Sequence, residues 1–434
     1  MNKAIHNPAK QINKIANHPV NKTANKITNQ PVNKTANKII KHPINKPTNK
    51  ITNPPINKPT NKITNPPVNK IINKIENKTN DDFQLKIFQE INKSNIGKNI
   101  MVSPLSIYHI LSLTANGGAN KTLIQMLQVL CQKNKIELNN SNKLISSSIE
   151  KLKSIEFANA VFTKFKPLDN FMKIVKEYKA KVDDLKDAAQ ANKWCRDATH
   201  KKIQNIIDNI TKDDLMILIN AIYFKGFWQD KFDKNQTNKN KFMNFNKQPK
   251  EVDFMNIVKN FDYFEDNNNQ VISLNYQKDN LKALIILPKE NIDINSYIKS
   301  FTIEKYYKIL KKLVNKKVIF SLPKFEINFK AELKDNFIAL GMIEPFSANA
   351  DFSAMRKEKD IRIGRIIHKT FIKVDEEGTE AAAVTAVFMR KNAIAFNPEP
   401  TPIMNVNHPF LLIIRSNDLP SEHDMLFVSK VEFL

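Results

Sequence analysis

The sequence predicts an α+β protein with large antiparallel or mixed sheets, preceded by a disordered N-terminal tail. Short β-branched or aromatic runs recur through the later part of the 434-residue chain, and helical segments lie between some of them. The strand-like runs outnumber what a simple βαβ alternation would give, which favours α+β over a doubly wound fold. The beginning of the chain, by contrast, is a short-period repeat.

Six runs have the composition of β-strands, most of them bounded by Pro, Asn or Gly: FANAVFTKF, LMILINAIYFKGFW, LKALIILP, VIFSLPKFEINF, HPFLLIIRS and MLFVSKVEF. The segments FMKIVKEYKAKV and AELKDNFIALGM predict helices. A further, buried helix is predicted in NIMVSPLSIYHILSLTANGG. Ser103 suits its N-cap, Pro104 its first position, and Ile107, Ile110 and Leu111 form its apolar stripe.

Residues 1–76 form a separate unit, so the globular domain is predicted to span residues 77–434. From Asn17 to Glu76 the chain repeats a twelve-residue unit five times, each copy with at least one Pro and no aromatic residue. So few apolar side chains cannot offset the entropy of ordering, which predicts disorder. Residues 1–75 hold 14 Lys and no acidic residue, more than half of the +25 net charge. The tail is interpreted as a solvated spacer, or alternatively as a weak contact for nucleic acid or another polyanion.

Several other classes of protein are excluded by pattern. The first residues carry no apolar leader, which predicts a cytoplasmic location or release by an unconventional route. No run approaches 18 apolar residues, so no membrane span is expected. Cys131 and Cys195 lack metal-ligand spacing and are predicted to be buried free thiols. Phosphate loops, GxSxG and HExxH are absent and only seven glycines occur, so neither an enzyme nor a cofactor is expected.

Residues 375–388, DEEGTEAAAVTAVF, differ locally from the rest of the chain. Gly378 permits backbone angles that other residues avoid, and beyond it a period of two places Thr379 and Ala381 on an uncharged face. Glu380 and Arg390 fall on the other face, so the stretch could enter the middle of a sheet without burying a charge. An Ala-rich helix is the alternative, since Ala is the best helix former.

The sequence from residue 77 to 434 resembles the serpin family. VDEEGTEAAAVTA is similar to the family's hinge motif, NIMVSPLSI to its NxxxSPLSI signature, and ILINAIYFKGFWQDKF to the strand that bears its Asn and FKGxW. ANKWCRDATHKKI, SLPKFEI, IIHKTFIKV and HPFLLIIR match in the family's order. The resemblance implies a large central mixed sheet, further sheets, about eight or nine helices and an exposed reactive loop. Ser429 stands where the family usually has glycine, so a local difference in packing is expected near the C-terminus.

The resemblance also implies three groups of functional residues. A polar cluster beneath the central sheet, here called the shutter, would hold the sheet strands together reversibly. A second group, the breach, would meet where a new strand begins to insert, and the hinge would lead that strand. The residues are, for the shutter, Ser103, Ser106, Asn220 and His368; for the breach, Trp228, Lys324 and Glu376; and for the hinge, Glu376, Glu377, Gly378, Thr379, Glu380, Ala381, Ala382 and Ala383.

The implied function is suicide inhibition of a protease, which attacks the loop and is carried across the molecule as the hinge side inserts. The family's hinge spacing places the reactive bond after Asn392, before Ala393, and predicts an asparaginyl endopeptidase as the target. A register one or two residues shorter places it after Lys391 or Arg390 and predicts a trypsin-like serine protease. A monomer is expected. A non-inhibitory binding or chaperone-like serpin is the alternative, and a tethering protein led by the tail is a third.

Overall fold

The structure is a computed structural model that describes residues 82–379 and 400–434. The repeat tail, the hinge beyond Thr379 and all candidate residues for the reactive bond lie outside these ranges. No helix within them is both long enough and apolar enough to span a bilayer.

Nine α-helices occur in the described ranges. They are α1 Phe83–Lys93, α2 Pro104–Gly117, α3 Asn120–Val129, α4 Lys135–Ile149, α5 Asp169–Glu177, α6 Ala188–Ala198, α7 Ile294–Ser300, α8 Ile303–Lys312 and α9 Lys334–Ala339. Helix α2 begins as predicted, because Ser103 caps it with its side chain and Pro104 occupies its first turn. Every residue of α2 is buried, and the helix packs against strands of both sheets. It therefore fills the core between the sheets.

Two predicted helices are shorter than their sequence patterns indicated. Helix α5 ends at Glu177, and residues 181 and 182 of the same pattern begin a strand; Lys179 breaks the helix with a φ of 50°. Helix α9 is confined to six residues, because the chain before it continues a strand and Gly341, at φ 101°, turns the chain after it. Cys195 is buried as expected, whereas Cys131 is only half-buried.

The strands form two sheets. They are β1 Ile100–Val102, β2 Ile155–Thr163, β3 Lys181–Asp184, β4 Met216–Phe224, β5 Gly226–Phe227, β6 Asn238–Met243, β7 Pro249–Glu265, β8 Asn269–Asn275, β9 Leu281–Pro288, β10 Val314–Pro323, β11 Phe325–Glu332, β12 Arg365–Asp375, β13 Gly378–Thr379, β14 Ile403–Asn405, β15 Phe410–Ser416 and β16 Met425–Val431.

The nine-stranded sheet has the order β1-β16-β15-β9-β8-β7-β10-β14, with β6 added to β7. All its pairs are antiparallel except β10 with β14. Ser429 lies in β16, fully buried between Met101 and Leu412, and its hydroxyl has no hydrogen-bond partner among the described residues. The serine is therefore accommodated without disrupting the strand pairing, although one buried polar atom remains unsatisfied.

The seven-stranded sheet has the order β3-β2-β4-β12-β13-β5, with β11 added to β12. Strands β4 and β12 are its central pair and run parallel, although they are separated by more than 140 residues of chain. On one face of the sheet, helix α6 packs over an apolar cluster that includes Ile217 and Ile219 of β4. The α+β class and the mixed central sheet are thus confirmed.

Candidate functional site

The central pair β4 and β12 is the first element of the site. Direct pairing runs from Arg365 opposite Ile217 to Phe371 opposite Tyr223, and ends there. At this end of the sheet a third strand, β13, lies between β12 and β5. Two residues of the hinge thus form a strand between β12 and β5, beyond the end of the direct β4–β12 pairing.

Strand β13 consists of the first hinge residues. After β12 ends at Asp375 the chain turns back, so that Thr379 pairs with Val374 on one side and with Gly226 on the other. Thr379 is fully buried, and its hydroxyl lies 2.8 Å from the hydroxyl of Tyr276. The first turn of the hinge is thus held by backbone and side-chain bonds rather than exposed.

Glycine is required at position 378 for two reasons. Its φ of 154° is rarely adopted by residues with a side chain, and a Cβ there would lie 2.1 Å from the carbonyl oxygen of Gly226. The same Cβ would lie 2.7 Å from Cα of Phe227. The close approach of β13 to β5 therefore depends on the glycine.

The predicted breach residues do come together around the hinge. Lys324 Nζ lies 3.1 Å from Glu376 Oε1, and Trp228 Nε1 donates to the carbonyl of Asp375 at 2.9 Å. Trp228 is almost fully buried, stacks on Tyr276 at a centroid distance of 4.6 Å, and donates its backbone N–H to the carbonyl of Glu377. Trp228 is both a core residue and a direct contact of the hinge.

Two carboxylates anchor the turn between β12 and β13. Burial raises the pKa of Glu376, but hydrogen bonds from its own backbone N–H, from Thr237 (2.8 Å) and from Lys324 outweigh this and leave the pKa lowered. Glu377 contacts Lys231 at 2.6 Å and Lys234 at 3.1 Å, and its hydrogen bond with Lys231 is the main cause of its lowered pKa. Both carboxylates are therefore ionised and paired at neutral pH.

The four predicted shutter residues also meet beneath the central pair, and all four are fully buried. The backbone N–H of Ser103 donates to His368 Nε2 at 3.2 Å, so the neutral imidazole carries its proton on Nδ1 and donates to Asn220 Oδ1. Asn220 Nδ2 in turn donates to Ser106 Oγ. His368 and Asn220 lie opposite each other in the β12–β4 register. The cluster therefore bridges the two strands.

The hydrogen-bond chain extends beyond the predicted cluster to Asn159 and His109. Asn220 Nδ2 also donates to Asn159 Oδ1, and Asn159 Nδ2 donates to His109 Nδ1 at 3.3 Å. His109 Nε2 lies 3.4 Å from Ser146 Oγ of α4. Burial lowers the pKa of His368 to about 3 and that of His109 to about 4. Both imidazoles are therefore neutral at physiological pH.

Sequence reasoning missed Asn159, His109, Thr237 and Tyr276. The sequence does indicate the first two, because Asn159 is a lone amide in the apolar strand FANAVF and His109 is a lone imidazole on the apolar helix α2. No local sequence feature indicates Thr237 or Tyr276. Their roles follow from contacts with residues more than 100 positions away.

Comparison with known proteins agrees with this architecture. The family model described as Serpin (serine protease inhibitor) matches residues 78–432.

This chain belongs to the serpin family.

Relatives and solved structures of this serpin extend over most of its length. Human Serpin B8 is 31% identical over 360 residues, covering 78% of this chain and 94% of that protein. Iripin-2 of Ixodes ricinus is 30% identical and covers 82% and 93%. The thermophilic serpin tengpin, solved in its native state, is similar with a TM-score of 0.75 and 30% identity, covering 86% of this chain and 96% of that one. Human thyroxine-binding globulin in complex with its ligand is similar with a TM-score of 0.73 and 26% identity, covering 82% and 97%.

Membership of this family supports protease inhibition as a general activity, without identifying a target protease. Serpins act in general as inhibitors rather than as enzymes, and change conformation when they do so. Thyroxine-binding globulin binds thyroxine, so the fold also carries a binding function.

Proposed function

We propose that this serpin traps a target protease by cleavage of the segment after Thr379, followed by insertion of that segment between β4 and β12. The observation that carries the proposal is β13, which already lies between β12 and β5 and points along the central pair. Strand addition to a sheet supplies main-chain hydrogen bonds along its whole length. Extension of β13 would exchange the parallel β4–β12 pairing for two antiparallel pairings, which are slightly more stable per residue.

The register of β13 supports this path. Thr379 faces Val374 and Gly226, so one further residue brings Glu380 between Lys373 of β12 and Lys225. Both lysines are exposed. The one acidic residue among the first small hinge residues would thus meet two cations on the solvated face, instead of entering the core.

Six residues beyond Thr379, the same register brings Thr385 between His368 and Asn220. Insertion would therefore separate the imidazole from the amide that it now contacts. The threonine hydroxyl can both donate and accept, so it could replace the lost hydrogen bond on each side. The shutter would open to admit the strand and close again around Thr385.

The chemical step would be that of the target protease. Its nucleophile attacks the carbonyl carbon of the reactive bond, an acyl-enzyme forms, and the new amino terminus leaves with the proton supplied by the protease's general acid. Strand β4 begins at Met216, which the register places opposite Met389. Arg390, Lys391 and Asn392 would thus lie just past the end of the inserted strand, and each stays a candidate for the residue before the reactive bond. The acylated protease would be held at the far end of the sheet.

A matched pair of substitutions tests insertion. Ala381 would lie between Ile372 and Phe224, which are both fully buried, whereas Ala382 would lie on the face that carries Glu380. Ala381→Arg should convert the protein into a substrate that is cleaved without forming a complex, because a buried unpaired charge costs several kcal/mol. Ala382→Arg should retain most of the complex that survives boiling in detergent. Equal loss in both variants would contradict the proposed register.

A non-inhibitory binding serpin is the alternative, and thyroxine-binding globulin is the relative that supports it. Clean cleavage by every protease tested, with no complex and no gain in thermal stability, would favour it. A polyanion contact through the tail is a separate possibility. Removal of residues 1–76 should then abolish heparin binding and leave complex formation intact.

A further inference from the structure

A cleft of about 410 Å³ lies between helices α7 and α8 and the turn that joins β7 to β8. Its apolar surface comes from Phe264, Ile292, Tyr297 and Ile309, and the last two are buried side chains of the two helices. This volume lies within the range of small-molecule sites, which combine an apolar lining with a few polar groups. None of the shutter or breach residues, nor Gly378 or Thr379 of the hinge, lines this cleft.

One polar side chain in the cleft lacks the partner that its burial requires. Asn269, the first residue of β8, is only 4% exposed, and its Oδ1 is buried with no hydrogen-bond partner among the described residues. Its backbone N–H is satisfied by Asp266 Oδ1 at 3.0 Å, so the deficiency is confined to the side chain. Buried amide oxygens are normally paired. A residue in the wall of the cleft therefore carries an unpaired acceptor.

Three lysines of α8 line the same cleft at a spacing of three and four residues, which places them on one face of the helix. Lys305 Nζ donates to the carbonyl of Ser300 at 2.6 Å, and Lys312 Nζ lies 5.1 Å from the ring centroid of Phe264. Lys308 forms no ion pair within residues 82–379 and 400–434. Three cations over an apolar lining favour a bound anion.

Asp266 is the acidic residue in the lining, and its carboxylate accepts hydrogen bonds from the backbone of the turn. Its Oδ1 accepts the backbone N–H groups of Asn268 at 2.9 Å and Asn269 at 3.0 Å. Asp266 forms no ion pair with these lysines in the part of the chain that the structure describes, and the lining holds three lysines against this one carboxylate.

We propose that this cleft binds a small amphipathic anion: an apolar, preferably aromatic body with a carboxylate at one end and a hydroxyl or amide donor at the other. The body packs on Phe264, Tyr297 and Ile309, the carboxylate lies against Lys308, and the donor satisfies Asn269 Oδ1. Each part of the ligand thus contacts one feature of the cleft. The site is separate from the proposed inhibitory apparatus, so it stands whether or not the chain inhibits a protease.

The test uses 6-hydroxy-2-naphthoate, which carries all three features, and isothermal titration calorimetry on the full-length protein. We expect saturable binding at one site with a Kd below about 1 mM. Lys308→Glu should weaken binding by about tenfold or more, because it replaces the attracting cation with an anion. Lys311→Glu makes the same charge change on an exposed position of α8 outside the cleft and should change the Kd by less than about twofold. Equal weakening by both variants, or no saturation near about 1 mM, would overturn the proposal.

A second comparison isolates the role of Asn269. The 6-methoxy analogue lacks the donor and should bind the unchanged protein at least about tenfold more weakly than the hydroxy compound, since the buried acceptor stays unpaired. Asn269→Leu should bind the two compounds equally. Equal affinity of the two compounds for the unchanged protein, a result that needs no variant to fold, would exclude the proposed contact.

Discussion

Gly378 approaches Gly226 so closely that a β-carbon on Gly378 would lie 2.1 Å from the carbonyl oxygen of Gly226. Gly378, which pairs with Phe227, and Gly226, which pairs with Thr379, therefore allow the first hinge residues to enter the sheet as β13. Gly226 is itself confined, because a β-carbon there would lie 2.6 Å from the ring of Tyr276. Tyr276 also contacts Thr379. The two glycines and Tyr276 thus couple the hinge to the core.

Gly378→Ala should expel β13 from the sheet, because loss of a two-residue strand costs less than a 2.1 Å overlap with the backbone of β5. The fluorescence of Trp228, which bonds to Asp375 and Glu377, should report the change. Gly97→Ala is the matched control, since Gly97 also has a positive φ, 75°, but a β-carbon there would have no other atom within 4 Å. An unchanged emission spectrum in Gly378→Ala would show that β13 tolerates the substitution.

Acidification should destabilise the shutter. His368 and His109 have pKa values lowered to about 3 and about 4, whereas an unfolded histidine titrates near 6.5. Between those values the unfolded chain binds more protons than the folded one, so stability is fully present above about pH 6.5 and falls as the pH approaches about 4. Each histidine should remove on the order of 2 kcal/mol between about pH 6.5 and about pH 5. Urea unfolding midpoints measured at about pH 7 and about pH 5 show how the free energy of unfolding changes with pH.

His109→Gln should reduce the change in the free energy of unfolding between about pH 7 and about pH 5 by the contribution of one histidine, because glutamine cannot take up the proton. His200→Gln serves as the control, since His200 is exposed and its imidazole contacts Glu156 at the surface. A change in His109→Gln equal to that of the unchanged protein would rule out His109 as a source of the acid sensitivity.

Reversal of the charge on the hinge should impair trapping. Glu380→Lys would place a lysine of the inserted strand between Lys373 and Lys225, so that three cations lie together. Their repulsion should slow insertion. The fraction of protein that is cleaved without forming a complex should therefore increase several-fold. Lys373→Glu in the same chain should restore part of the loss. Quantitative gels of complex and cleaved product at equal protease dose measure both effects. Failure of the second substitution to rescue the first would argue against the register.

The reactive bond can be located by single substitutions at the three candidate residues. If the bond follows Arg390 or Lys391, replacement of that residue by Ala should abolish the complex with a trypsin-like protease, because the cation that pairs with its acidic specificity pocket is lost. If it follows Asn392, only Asn392→Ala should abolish the complex, and an asparaginyl endopeptidase should be the protease trapped. Mass spectrometry of the released C-terminal fragment, which begins at Ala393 in the last case, identifies the bond.

The local sequence was sufficient for features whose signals lie within a few residues. The cap of α2, for example, follows from a serine followed by proline. The shutter and breach residues came from motifs that resemble those of a family, and the structure brings them together as contacts. Helix ends were less predictable, because Lys179 and Gly341 stop helices through backbone angles that apolar periodicity does not encode.

The chain's composition and motifs by themselves determined the α+β class and the family, whereas the position of the hinge and the boundary of the lysine-rich tail stay predictions. Only the tertiary structure decided that β4 and β12 are parallel neighbours, that β13 pairs with β12 and β5, and that Asn159 and His109 extend the shutter. The unsatisfied Asn269 in its lysine-lined cleft belongs to the same group. The physical reason is that strand pairing and buried hydrogen bonds join residues far apart in the chain, and no local pattern records which distant residue will satisfy a given donor or acceptor.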